Sequence, residues 1–233
     1  MTAKASQVPP AAAPTVDPGR TDEERAYYAT TRRVYGSWFA SVYELVTAPF
    51  GHVREFAARD ARIATGARVL DVATGTGAQA RAFADAGASV IGLDLSERMI
   101  AVARHEKGSR DVRFLVGDAT ALPFDAATFD VTCISFALHE MPPTVRSGVL
   151  CELARVTRPG GTVVVVDYAL PRNPAWRRIV VGAVRLFEHE SYPAFLRADL
   201  VAALREVGVE VTGERRVLLD VARVVIGRRA TSA

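Results

Sequence analysis

Lysine is almost missing from this sequence: it occurs only at Lys4 and Lys107, and nearly every other base is arginine. The formal net charge is +3, too small an excess to build a phosphate-binding stripe, so a nucleic-acid partner is not expected. Cysteine is as scarce. Cys133 lies in an apolar strand-like run and Cys151 in a helix-like run. Both read as small buried hydrophobes of a reducing compartment, not as a disulfide framework. His52, His105, His139 and His189 stand far apart, with no Cys or His at metal-ligand spacing, so no metal site is expected. Long apolar runs are also lacking. The run Val163–Val166 stops at Asp167 and reads as a buried strand, not a membrane span. The N-terminus has neither a secretion signal nor an anchor, and a cytoplasmic protein is the default expectation.

What is present is apolar bulk, 49% of the residues, enough for one large α/β core. Residues 1–20, rich in Pro and Ala, read as a disordered tail. Thr21-Asp-Glu-Glu24 is a capping box and predicts a helix carrying Tyr27, Tyr28, Tyr35, Trp38, Phe39 and Tyr43, broken at Pro49-Phe-Gly51. A second helix is expected from about His52 to Ile63, making residues 21–66 an N-terminal helical lid. Packing of the tyrosines into the core is the alternative.

From Ala67 onward, short β-branched runs alternate with helical segments. Strands are predicted at Arg68–Ala73, Ser89–Leu93, Val112–Val116, Phe129–Phe136 and Thr162–Tyr168, with helices near Ala78–Ala86, Ser96–Glu106 and Thr144–Thr157. Such alternation implies crossovers and a parallel sheet. Pro174–Glu188 and Arg197–Val207 read as helices. Glu210–Leu219 and Val221–Arg228 read as a hairpin turning at Asp220. Residues 67–233 are thus one domain, with a cap insertion near 172–196. Trp176, Ile179 and Val180 beside Arg177, Arg178 and Arg185 suit a lid on the sheet edge or, alternatively, a peripheral membrane contact.

The sharpest local signal is Arg68-Val-Leu-Asp-Val-Ala-Thr-Gly-Thr-Gly77, a strand running into a glycine turn and then a helix. Gly75 and Gly77 let the backbone turn tightly against a ligand. Asp94, at the end of the second strand, can accept from both hydroxyls of a ribose. Nicotinamide dehydrogenases use the same physics, so G-x-G alone does not choose. Asp71 favours a ligand carrying ammonium and sulfonium charges over a pyrophosphate. Asp118, in Gly117-Asp118-Ala119, can accept from an adenine amine or simply cap a turn. Arg158-Pro-Gly-Gly161 reads as the turn into the fifth strand.

The ordered set Asp71…Gly75-Thr-Gly77, Asp94, Gly117-Asp118-Ala119, Leu122-Pro-Phe124, Phe129-Asp130 and Arg158-Pro-Gly-Gly161 resembles the class I S-adenosylmethionine-dependent methyltransferases. Within them it is most similar to the ubiquinone/menaquinone biosynthesis C-methyltransferase group, which Ile134-Ser-Phe-Ala-Leu138 also matches. The resemblance implies a Rossmann-like, seven-stranded, mostly parallel sheet with helices on both faces and an antiparallel C-terminal hairpin. It implies S-adenosyl-L-methionine as cofactor and a small-molecule or lipid-like acceptor: quinone-like, a phospholipid or a natural product. By motif position it places Thr76, Asp94, Leu95, Asp118, Ala119 and Ser135 against the cofactor, with Gly75 and Gly77 shaping the loop. Met99 should pack on the adenine, or else be a core residue of its helix, and Asp71 should lie near the methionyl end.

Two departures bear on the acceptor. After the fourth strand the group carries Arg-Asn-Val-like residues, where this chain has His139-Glu-Met-Pro-Pro143; its C-terminal substrate segment is not clearly matched either. The Pro-Pro-aromatic motif of base amino-methylation is missing too. His139 is the candidate general base; the alternative is that His139 or Glu140 caps the next helix. Glu188-His-Glu-Ser-Tyr192 is a solvated helix end or an acceptor-pocket wall.

Overall fold

The structure is a computed structural model that describes residues 19–36, 51–106, 112–184, 195–196 and 198–231. The expected tail through residue 18, Trp38, Phe39 and Tyr43, and the Glu188–Tyr192 cluster lie outside the described residues.

Seven strands form one sheet in the order β3-β2-β1-β4-β5-β7-β6. They are β1 (Arg68–Val72), β2 (Ser89–Asp94), β3 (Val112–Val116), β4 (Phe129–Ser135), β5 (Thr157–Tyr168), β6 (Val209–Val217) and β7 (Ala222–Arg229). β1 through β5 are mutually parallel, and β7 runs antiparallel to both β5 and β6. This is the seven-stranded architecture the sequence implied. β-branched runs such as Val163–Val166 are buried completely because helices cover both faces.

The helices are α1 (Asp22–Tyr35), α2 (Gly51–Asp60), α3 (Ala78–Asp85), α4 (Glu97–His105), α5 (Pro143–Val156), α6 (Pro174–Val184) and α7 (Leu200–Glu206). Alternation along β1 divides the core. Leu70 and Val72 face a cluster with Tyr28 of α1, Val149 and Leu153 of α5 and Leu204 of α7. Val69 faces the opposite cluster, with Val53 and Ala57 of α2, Phe83 of α3 and Ile100 of α4. The two N-terminal helices therefore serve opposite faces of the sheet. α1 starts at the Thr21–Glu24 capping box, with both reciprocal bonds formed.

Two local expectations are corrected. Arg158-Pro-Gly-Gly161 is not a turn before the strand but part of β5. Phe129 pairs with Thr157 and Val131 with Thr162, so a bulge absorbs the extra residues, with Gly160 at φ 71°. Cys151 is exposed, on the outer face of α5, whereas Cys133 is buried. In α6, Val180 is buried while Arg177, Arg178 and Ile179 are exposed. No helix among the described residues is long and apolar enough to cross a membrane.

Candidate functional site

Strand order reverses between β1 and β4, so the loops leaving the two strands diverge and open a crevice at their carboxyl ends. A cavity occupies that crevice, with about 710 Å³ of empty space including the part open to solvent. Strands β1 to β4 each contribute their carboxyl end or the loop that follows: Gly75 after β1, Leu95 after β2, Ala119 after β3, and Ser135 at the end of β4 with Phe136 beyond it. α1 closes one side with Tyr27, Tyr28 and Tyr35.

Asp94 is the best-organised polar group in the cavity. One carboxylate oxygen accepts from the Gly75 N–H at 2.8 Å and the other from the Ser96 N–H at 2.9 Å. Each oxygen keeps a second lone pair for a donor in the cavity. Burial pushes its pKa up, against the backbone N–H groups of Ser96, Gly75 and Leu95, which lower it. Ser96 in turn caps α4 by accepting from the Met99 N–H, which fixes Met99 at the cavity wall.

Asp118 is already engaged on both oxygens. Arg20 donates to one at 2.6 Å; the other accepts from the Tyr28 hydroxyl at 3.0 Å and from Thr120. The Arg20 guanidinium also lies 3.6 Å from the Tyr28 ring centroid. An adenine amine at Asp118 would share it with, or displace, Arg20. Nothing in the motif pointed to Arg20.

The candidate residues separate on inspection. Gly75, Asp94, Leu95, Met99, Asp118, Ala119 and Ser135 line the cavity. Asp71, Thr76, Gly77 and His139 do not; all but Gly77 are buried polar side chains behind the wall. At Gly77, φ is 84° and a Cβ would come within 2.5 Å of the Phe114 ring, so glycine is needed there for packing as much as for the turn. His139 turns inward: its Nδ1 bonds Asp167 at 2.8 Å and its ring edge meets Tyr168 at 4.7 Å between centroids. The neighbouring Glu140 faces the cavity instead and accepts from the Tyr35 hydroxyl at 2.5 Å.

Asp71 is fully buried and accepts from the Thr74 hydroxyl at 2.5 Å. Desolvation, the largest influence, pushes its pKa up to about 7. Folding thus favours the protonated acid. Asp71's contribution to stability is complete below about pH 4, its ordinary range, and is lost as pH rises through about 7. Asp71→Asn removes this dependence. The stability of the variant relative to the wild type should therefore rise by on the order of 4 kcal/mol between pH 4 and pH 8, some three pKa units at ~1.4 kcal/mol each. Urea melts of both proteins across that range measure it, and parallel profiles would refute the assignment.

Residues 69–161 match the family described as "Methyltransferase domain". The chain is similar to the demethylmenaquinone methyltransferase of Renibacterium salmoninarum, 42% identical over 114 residues, which are 49% of this chain and 46% of that protein. It is 38% identical over 166 residues to the demethylmenaquinone methyltransferase of Parafrankia sp., 62% of either chain. The alignments with the first few of these curated relatives span about half of their length. Among solved structures, a SAM-dependent methyltransferase of Methanosarcina mazei superposes with TM-score 0.59 at 20% identity, covering 73% of this chain and 95% of that one. A Pyrococcus horikoshii protein superposes with TM-score 0.56 at 22% identity, covering 71% and 82%. Residues 69–161 thus match a methyltransferase-domain family, and the seven-stranded sheet built around them shares the fold of the solved SAM-dependent methyltransferase.

Proposed function

We propose that this protein transfers a methyl group from S-adenosyl-L-methionine to a hydroxylated, quinone-like small molecule. The observation that carries the reading is the charge of the cavity. Its described lining residues include three carboxylates, Asp94, Asp118 and Glu140, and no Lys, Arg or His; Asp118 is paired with Arg20, so Asp94 and Glu140 set the negative charge. Such a wall attracts a cationic nucleoside and repels the pyrophosphate of a dinucleotide. The donor set fits the cofactor. Asp94 holds two spare acceptor sites for a ribose diol, while Leu93, Leu95 and Met99 offer apolar surface for a base.

When bound, the cofactor supplies a methyl group on sulfonium sulfur, already activated for in-line displacement. What remains for the chain is orientation and exclusion of water. Asp94 fixes one end of the ligand. Tyr27, Tyr28 and Tyr35 of α1 and Phe136 form the apolar sides facing the acceptor. Demethylmenaquinone methyltransferases, among the relatives found, support a quinone-like acceptor. Binding tests the reading first: calorimetry should show heat with S-adenosylhomocysteine and none with NAD. Labelled methyl should then pass from the cofactor to a prenylated naphthohydroquinone. No heat with S-adenosylhomocysteine would end the proposal.

A further inference from the structure

We propose that Glu140, not His139, is the general base of the acceptor site, taking the hydroxyl proton of a hydroxylated aromatic ring as the ring is methylated. The inference rests on the methyl-transfer reading above and concerns the same cavity.

Geometry separates the two neighbours. Leu138–Glu140 is a single 3-10 turn, so successive side chains point about 120° apart. Leu138 is buried in the core, His139 is committed to Asp167, and Glu140 projects into the cavity, its side chain 30% exposed. A base must reach the proton it removes, and of the two only Glu140 lines the space where an acceptor can lie. Its carboxylate is held by the Tyr35 hydroxyl at 2.5 Å, which leaves the other oxygen to accept from a ligand. Ser96, which caps the cofactor-side helix α4, donates to the Tyr35 carbonyl at 2.9 Å. One hydrogen-bonded chain thus ties the base to the segment that carries Asp94 and Met99.

The charged and titratable groups around Glu140 come from four elements. Tyr27 and Tyr35 face it from α1, Asp94 from the end of β2, and His139 from its own turn, with His139 Nε2 at 3.9 Å from a Glu140 oxygen. Asp167 of β5 stands behind His139. The 3.9 Å gap is too long for a hydrogen bond, so no proton passes directly between the two side chains.

The ring hydroxyl proton moves to the Glu140 carboxylate. The ring's electron pair, delocalised onto the adjacent carbon, forms the bond to the methyl carbon as the methyl–sulfur pair returns to sulfur. The ring carbon then gives its proton to water, which restores aromaticity, and Glu140 returns the captured proton to the ring oxygen, so that one proton is released for each methyl transferred. No oxidant or reductant is needed.

Glu140→Gln keeps the size and the Tyr35 bond but cannot take a proton. With a prenylated naphthohydroquinone as probe, kcat should fall ~100-fold or more, and the kcat–pH profile should lose the limb that the base supplies. A chlorinated analogue, assayed at a pH above the pKa of its hydroxyl so that it arrives ionised, should restore most of the lost rate. Independently of turnover, calorimetry should show that the variant still binds S-adenosylhomocysteine, which lacks the sulfonium charge, so the loss of rate is not a loss of the nucleoside. In that complex the probe's affinity should depend on pH in the wild type and not in the variant. A variant with wild-type kcat and pH profile, or one that only raises KM, overturns the proposal while leaving methyl transfer intact. A wild type that binds S-adenosylhomocysteine but methylates none of these rings sinks both.

Discussion

Asp94→Ala should weaken binding of S-adenosylhomocysteine by about 3 kcal/mol, roughly a hundredfold, in calorimetry at neutral pH. The magnitude follows from the two acceptor sites its carboxylate turns to the cavity. Each charge-assisted hydrogen bond is worth ~1.5–3 kcal/mol, and ~1.4 kcal/mol is a factor of ten in affinity. The alanine variant carries a second cost, because the Gly75 and Ser96 N–H groups both lose their acceptor. Those bonds hold the glycine turn and the start of α4, so the loop loosens as well as the ligand. Asp94→Asn separates the contributions. Its remaining carbonyl oxygen can keep one backbone bond, so its melting temperature should fall less than that of the alanine variant while nucleoside affinity still drops. An unchanged affinity in both variants would mean that the ribose does not sit at Asp94.

The lining of this cavity was legible because the strands that border it, β1 to β4, are parallel. In a parallel sheet every strand's carboxyl end lies on one edge, so residues that follow successive strands in sequence meet in space. Gly75, Asp94, Asp118, Ala119 and Ser135 are such residues, and all border one cavity. Position within an element was harder to read. Asp71 is one residue from Leu70 and Val72, and strand alternation turns it to the opposite face, away from the crevice, which a count of two per repeat already implies. Cys151 sits between Leu150 and Leu153 but off their stripe, which helical spacing also implies. The choice between His139 and Glu140 was not legible. One residue in a tight turn swings a side chain from the cavity to the core, and residue type favours histidine as a base while geometry selects glutamate. Arg20 was equally invisible, because its contact with Asp118 joins segments 98 positions apart.

His139→Ala should therefore be a stability variant, losing ~3–5 kcal/mol, unlike its neighbour. Asp167 is wholly buried and accepts from the His139 imidazole at 2.8 Å, the His139 N–H at 3.3 Å and the Tyr168 N–H at 2.7 Å. Removing the ring deletes a charge-assisted bond worth ~1.5–3 kcal/mol from a carboxylate that water cannot reach. It also opens a cavity beside Tyr168 and Phe195, whose rings now meet the imidazole, and large-to-small changes in a core add a further ~2 kcal/mol or more. At ~2–4 °C per kcal/mol for a domain of this size, the melting temperature should fall by about 10 °C. Glu140→Gln, partly exposed and nearly isosteric, should melt within a few degrees of the wild type. Two adjacent residues would then divide the labour, one holding the wall and the other working on its inner surface. A thermal melt that leaves His139→Ala as stable as the wild type would show that the buried Asp167 contact carries no weight, and the histidine would regain its claim as the base.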